Sequence, residues 1–367
     1  MSSSAGTPTR TPRILASILA AATVLALFRD PMFAWQPGVA AILLCFRPRS
    51  SIVALAVATS LLLLVGGAVT TYRVGMAVPD WPKTMGQGMF DYPLDEMLAS
   101  GWGVTLEHSH RLWASLVGLI SILVVLTMWF HRSPRRVLLL AVVSLLLVIT
   151  QGVLGGTRVL ANNQQIAFIH GSFAQVFYST VIALWVVTAA RWNTLESGQA
   201  PGQARLRKLS DLCVVLVFVQ VVLGAWLRHS GLHLPLGIHV LFAFVVFGAL
   251  MVLAKRLRAA HDSFVGPAAS AMQLLRLRRW VLVFLHGQVV LGILAVGAIF
   301  ALSDGFQGRV SVAEAIFATL HVAVGAMLLG SVLTTAMWTR RLFSHESSTE
   351  PAPESPSGTA LPPVLGA

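Results

Sequence analysis

Eight apolar runs, each long enough to cross a bilayer, constrain this chain more than any single motif in it. They fall near residues 51–71, 107–130, 137–157, 166–190, 211–227, 236–254, 280–301 and 314–338. A stretch of roughly 20 apolar residues spans the hydrocarbon core as a helix, which satisfies its own backbone where no water can do so. Of the 367 residues 56% are hydrophobic and only 11% charged, so the expected fold class is an all-α polytopic membrane protein. The formal net charge of +12 would point a soluble chain towards nucleic acid. Here the cations sit in the loops, and no nucleic-acid partner is expected.

The distribution of those cations sets an orientation. Of the 26 Lys and Arg residues, 19 gather at one end of the spans: Arg10, Arg13, Arg47 and Arg49, then clusters at 132–136, 191–208, 255–279 and 340–341. Six lie at the other end (Arg29, Arg73, Lys83, Arg158, Arg228 and Arg309), and Arg111 stands at the mouth of its helix. The positive-inside rule makes the richer end cytoplasmic. The expectation is a multi-pass protein of the cell inner membrane, both termini cytoplasmic, with the loop 72–106 outside.

Before the first of the eight runs, residues 14–46 hold two shorter apolar stretches. A signal segment fits less well than a helical hairpin, because a second apolar run follows at once without a clear small-residue cleavage site. The expected layout is a tail and hairpin over 1–50, a four-helix half over 51–190, a cytoplasmic linker over 191–210, a second four-helix half over 211–338, and a disordered tail over 339–367. A repeat supports the halves. Gln151-Gly-Val-Leu-Gly155, Gln220-Val-Val-Leu-Gly224 and Gln288-Val-Val-Leu-Gly292 share the form Q-x-x-L-G, and the first span carries a relative without glutamine, Leu64-Val-Gly-Gly67. Small residues at these places let membrane helices approach closely. Both halves start on the same side, so the repeat is parallel. Cys45 and Cys213 both lie in apolar runs, and neither a disulfide nor a thiolate metal site is expected from them.

Chemistry concentrates in the histidines. His110, His170, His239 and His321 stand one in each even-numbered span, each towards its outer end. Four at equivalent places in a repeated architecture are expected to be ligands, paired as His110 with His170 and His239 with His321. Facing imidazoles from separate helices suit bis-histidine haem iron. Zinc would call for carboxylate or thiolate company, and copper stays open on residue types alone. His229 and His233 fall in a short outer loop, either solvated or lining a cofactor mouth. His286 reads as a hydrogen-bonded packing residue, and His108 points about 160° away from His110 around the helix. Glu107 stands three residues before His110 and shares its face. It is placed to act as an acid, a base or a fixed anion, although a plain Glu107–Arg111 ion pair at a helix start suits the same spacing. The second half has Leu236 at the matching position. All four histidines lie at one depth, which fits two haems side by side better than a wire across the membrane.

Val78-Pro-Asp80-Trp81-Pro82, Glu107-His-Ser-His110-Arg111, Leu154-Gly-Gly156 ahead of His170, Gly224-Ala-Trp-Leu-Arg228-His and His321 in the last span together resemble the haem A synthase family over about residues 51–338. The resemblance implies an oxidoreductase that converts the C8 methyl of haem O to a formyl group, making haem A for terminal oxidases. It implies substrate haem O between His110 and His170, cofactor haem b between His239 and His321, and Glu107 as the catalytic carboxylate. Arg73, Arg111, Arg158 and Arg228, near outer helix ends, are candidates for binding haem propionates through charge-assisted contacts. Partners implied are haem O synthase, oxidase assembly factors and membrane lipid. Many bacterial members carry a cysteine pair in the first outer loop; this chain has none there, so no mechanism through those thiols applies. The second-half loop 228–235 lacks a P-D-W-P stretch, and the hairpin over 14–46 is extra to the eight-helix core. A di-haem cytochrome b module exchanging electrons with quinone is the alternative, and a haem or metal transporter is a third reading supported by the repeat alone.

Overall fold

The computed structural model describes residues 48–230, 233–303 and 309–343. The hairpin expected over 14–46, Cys45, the cations before residue 48, the C-terminal tail and His345 lie outside the described residues.

Among the described residues, eight helices are long and apolar enough to cross a membrane: α1 (Pro48–Thr71), α3 (Trp102–Phe130), α4 (Arg135–Leu160), α5 (Gln164–Val187), α7 (Gln203–Ser230), α8 (His233–Asp262), α9 (Ala268–Ala301) and α10 (Val312–Leu342). They are joined by a two-stranded hairpin (β1, Lys83–Thr84; β2, Gln87–Gly88) and two short helices, α2 (Leu94–Ala99) and α6 (Ala190–Thr194). All eight expected spans are helices, so the protein is an all-α multi-pass membrane protein. Several run well past the apolar stretch that announced them. At 1.5 Å per residue the 34 residues of α9 extend about 51 Å, against a hydrocarbon core of about 30 Å. Its first turns, with Arg276, Arg278 and Arg279, belong to the basic end.

Local signals explain the boundaries. Asn163 caps α5 by accepting hydrogen bonds from the backbone N–H groups of Gln165 (2.8 Å) and Ile166 (3.1 Å). Ser311 caps α10 through the N–H of Glu314 at 3.1 Å, with the Ser-x-x-Glu order of a capping box. Pro134 and Pro267 stand immediately before α4 and α9.

Each half closes into a ring. In the first, α1 packs on α3, α3 on α4, α4 on α5 and α5 back on α1; in the second, α7, α8, α9 and α10 repeat that order. Two buried apolar clusters follow the same division, one from Ile52 to Leu184 and the other from Val186 to Phe343. The halves meet where α1 and α5 face α7 and α10. Gly67 lets Thr319 approach there, and the hydroxyls of Thr71 and Thr319 lie 3.3 Å apart, buried. At the basic end, the stretch after α6 runs beside the tips of the second half. Gln199 exchanges backbone hydrogen bonds with Val265 (2.9 and 2.8 Å), and Gly198 donates to Leu342 at 2.8 Å.

Candidate functional site

The ring order places α3 diagonally across from α5, and α8 across from α10. His110 and His170 therefore look into the first bundle from opposite corners, and His239 and His321 do the same in the second. The other two corners supply glycines. A Cβ added at Gly66 would stand 2.9 Å from Cε1 of His110; at Gly155, 3.0 Å from Cε1 of His170; at Gly224, 3.1 Å from Cε1 of His239; at Gly292, 3.0 Å from Cε1 of His321. The same ring edge meets the same backbone in all four places. The glycines of the repeated motif are thus the seats of the histidines. This is more specific than the close helix approach expected of them, and the signal was visible as the recurrence of Q-x-x-L-G ahead of each of the last three histidines.

The rings of His239 and His321 have centroids 6.2 Å apart with their planes at 73°. An iron held between two imidazoles at about 2 Å from each nitrogen puts the ring centroids roughly 6 Å apart. The pair fits a bis-histidine haem iron, with glycine backbone at the remaining corners. In the first half, His110 is among the neighbours that act electrostatically on His170, and the Nδ1 atoms of both rings are buried without a hydrogen-bond partner. No group of three or more His, Cys, Asp or Glu side chains placed to hold a metal ion occurs among the described residues. Imidazoles facing each other across a bundle suit haem better than a tetrahedral zinc site.

Glu107 and Arg111 anchor the outer loop. Glu107 is 2% exposed; one carboxylate oxygen accepts from the Val78 N–H at 2.9 Å and the other from Arg111 at 2.9 Å. Arg111 also donates to the carbonyls of Val78 (2.7 Å), Asp80 (2.6 Å) and Lys83 (3.1 Å). The i,i+4 ion pair thus exists, and it grips both sides of the V-P-D-W-P stretch. Asp80 in turn accepts from the N–H groups of Met85 (2.9 Å) and Gly86 (2.7 Å). These two residues form the hairpin turn with φ of 50° and 84°, left-handed backbone that favours glycine at the second. The Trp81 ring lies on Gly156, where no side chain would fit. Trp81 is a packing residue between the loop and α4. Trp102, 59% exposed, sits at the rim.

The arginines expected near propionates are distributed unequally. Four of the N–H groups of Arg111 are engaged as above. Arg158 donates to the Gly75 carbonyl at 2.9 Å and has Glu107 and Arg111 as charged neighbours. Arg228 crosses between the halves, donating to the Gly67 carbonyl and the Thr71 hydroxyl, both at 2.8 Å, and to Ala318 at 3.5 Å. Arg73 is exposed just beyond α1, with φ of 58°.

Sequence reasoning left several groups unassigned that the structure uses. His108 is fully buried under the loop, with Nδ1 3.0 Å from the Thr84 hydroxyl and its ring edge-on to Tyr92 at 5.4 Å. His229 belongs to the second half, yet its Nε2 faces Gly171 of α5, beside His170. Glu314 is buried two turns before His321, with Arg228 as its charged neighbour. His286, expected to be a hydrogen-bonded packing residue, keeps its Nδ1 2.7 Å from the Leu282 carbonyl and is exposed.

Comparison with known proteins follows the same residues. The family model described as Cytochrome oxidase assembly protein matches residues 89–236, which include His110, Gln151, His170 and Gln220. A protein named Heme A synthase from Shouchella clausii is 29% identical over 177 residues, 47% of this chain and 56% of that protein. One from Staphylococcus aureus (strain bovine RF122 / ET3-1) is 23% identical over 214 residues, 51% of this chain and 68% of its own length. One from Bartonella quintana is 24% identical over 197 residues, 47% of this chain and 54% of its own length. The chain spans little more than half the length of the Shouchella and Bartonella relatives that it matches. Over these stretches, the longest of which is about half of its length, the chain is similar to proteins named Heme A synthase, and the family match takes in Glu107, His110 and His170.

Proposed function

We propose that this protein is a haem A synthase, oxidising the C8 methyl of haem O to a formyl group in the first half and keeping a haem b in the second. The observation that carries the reading is the crossed arrangement of two imidazoles and two glycine seats at one level of each bundle. His110 and His170 would bind the iron of substrate haem O. His239 and His321 would hold haem b, which supplies a one-electron carrier when bound.

The halves differ in what surrounds their histidines. The first is overlaid by the loop that Arg111, Glu107 and Arg158 hold down; in the second, α8 begins at His233, three residues after α7 ends at Ser230. Enclosure favours chemistry on a substrate, because excluding water strengthens every electrostatic contact inside. Glu107 is proposed as the catalytic carboxylate. Both its oxygens already accept hydrogen bonds, so it acts as a fixed anion that stabilises positive charge on the substrate methylene. Arg158, Arg228 and Arg73 are proposed to meet the propionates, and Arg111, four of whose N–H groups hold the loop, is proposed to serve there. The proposed setting is the cell inner membrane, with the histidine end outside and the basic end cytoplasmic. Proposed partners are haem O synthase, as the source of substrate, and the assembly factors that take haem A.

Co-expression with a source of haem O, followed by mass-resolved identification of the extracted haems, tests the reading. Haem A is expected in the extract. Haem b and haem O alone, from a protein loaded with both, would leave the quinone-linked di-haem cytochrome as the better account. His239→Ala and His321→Ala are each expected to remove the permanent haem absorbance.

A further inference from the structure

Three of the four histidine seats share a part that the fourth lacks. Gln151, Gln220 and Gln288 each stand four residues before a seating glycine and reach the histidine on it. Gln151 donates through Nε2 to the His170 carbonyl at 2.8 Å and lies 3.4 Å from that ring's Nε2. Gln220 donates to the His239 carbonyl at 3.0 Å and lies 3.2 and 3.3 Å from the two ring nitrogens. Gln288 approaches Nε2 of His321 at 3.1 Å, while Nδ1 of that ring lies 3.1 Å from the main-chain carbonyl of Gln288. The Oε1 atom of each glutamine is buried without a partner.

Satisfying backbone is not enough to explain these contacts. His170 and His239 lie inside helices, where their carbonyls already have an intrahelical donor to accept from. What the carboxamides add is a polar group against the ring of each histidine. The carboxamide limits rotation of the ring by packing on it, and its buried, unpartnered Oε1 is the atom able to accept from the ring N–H that an iron-ligating imidazole keeps, a contact that fixes tautomer and orientation. At the fourth seat the residue four before Gly66 is Leu62, which packs into the first-half apolar cluster. Nδ1 of His110 is buried with no partner, as is that of His170, so the missing carboxamide is what sets the fourth seat apart.

We propose that Gln151, Gln220 and Gln288 are positioning residues for three haem ligands, and that leucine at position 62 makes His110 the exchangeable one. The inference rests on the bis-histidine haem reading above. Both second-half ligands are braced, as a resident cofactor requires. The first half has one braced ligand and one loose ligand, as a substrate that must leave requires. Outer contacts to a ligating histidine typically change metal affinity by about 10–100-fold.

The test uses the full chain in detergent, loaded with haem b as the probe. Haem transfer to excess apomyoglobin is followed at the Soret band, and electron paramagnetic resonance of the ferric protein reports ligand orientation. Wild type is expected to lose haem in a fast and a slow phase. Leu62→Gln, nearly isosteric, is expected to slow the fast phase by about 10–100-fold and to sharpen one low-spin signal, leaving the slow phase unchanged. Gln220→Leu is expected to accelerate the slow phase by a similar factor. Unchanged rates and spectra in both variants, with two haems still bound, would overturn the positioning role while the haem reading stands. A wild-type protein without any low-spin bis-histidine haem would instead end the haem reading, and this inference with it.

Discussion

Replacing Glu107 by alanine should unfasten the outer loop before it does anything else. Arg111 is 8% exposed, and its guanidinium would lose its one carboxylate partner among the described residues. Removing one member of a buried ion pair costs about 3–5 kcal/mol, because the other charge is left uncompensated. Three carbonyls from Val78, Asp80 and Lys83 still solvate Arg111, which puts the cost near the lower end, about 3 kcal/mol. The Val78 N–H, buried with its residue, loses its acceptor as well, adding about 1–2 kcal/mol. Together these lower the opening free energy of the loop by about 4–5 kcal/mol, or roughly three orders of magnitude in the open population. Hydrogen exchange measured by mass spectrometry on peptides covering residues 74–88 reads this directly. Glu107→Ala should exchange there about a thousandfold faster, stop haem A formation, and leave second-half haem absorbance intact. Glu107→Gln keeps an acceptor for Val78 but no charge for Arg111, and should fall between. If the amides of residues 74–88 exchange at wild-type rates in Glu107→Ala, the anchoring argument is wrong. If all haem is lost as well, Glu107 supports the whole fold and not one loop.

Two further outcomes follow from the same geometry. Gly224→Val should displace the His239 ring, since even a Cβ there stands 3.1 Å from Cε1, and should abolish the second-half haem spectrum; Gly297→Ala, which meets nothing within 4 Å, should keep it. Asp80→Ala removes the acceptor of two turn N–H groups and should weaken the hairpin by about 1–2 kcal/mol, seen as tryptic cleavage after Lys83 about tenfold or more faster.

Hydrophobicity alone located the eight spans, because a backbone in lipid has few ways to satisfy itself and the length of each apolar run reports that directly. The helices outrun their apolar stretches at the basic end because solvent does not interrupt a helix; there Pro134 and Pro267 mark where α4 and α9 begin. The four histidines were legible for a related reason. A polar ring repeated at one depth in four apolar segments is too regular to be incidental, and the repeat showed which positions correspond.

Sequence by itself therefore located the eight described spans and the repeated motif, and singled out four histidines as candidate ligands. Tertiary structure decided what each of the smaller signals does. Only the ring order α1, α3, α4, α5 puts Gly66 under His110 and Gly155 under His170, contacts 44 and 15 residues apart in the chain. Only the folded loop shows Glu107 and Arg111 gripping Val78 and Asp80, and the Trp81 ring on Gly156. Periodicity describes one helix at a time, whereas a seat, a brace or a latch is a contact between two segments whose separation in sequence carries no information about their distance in space.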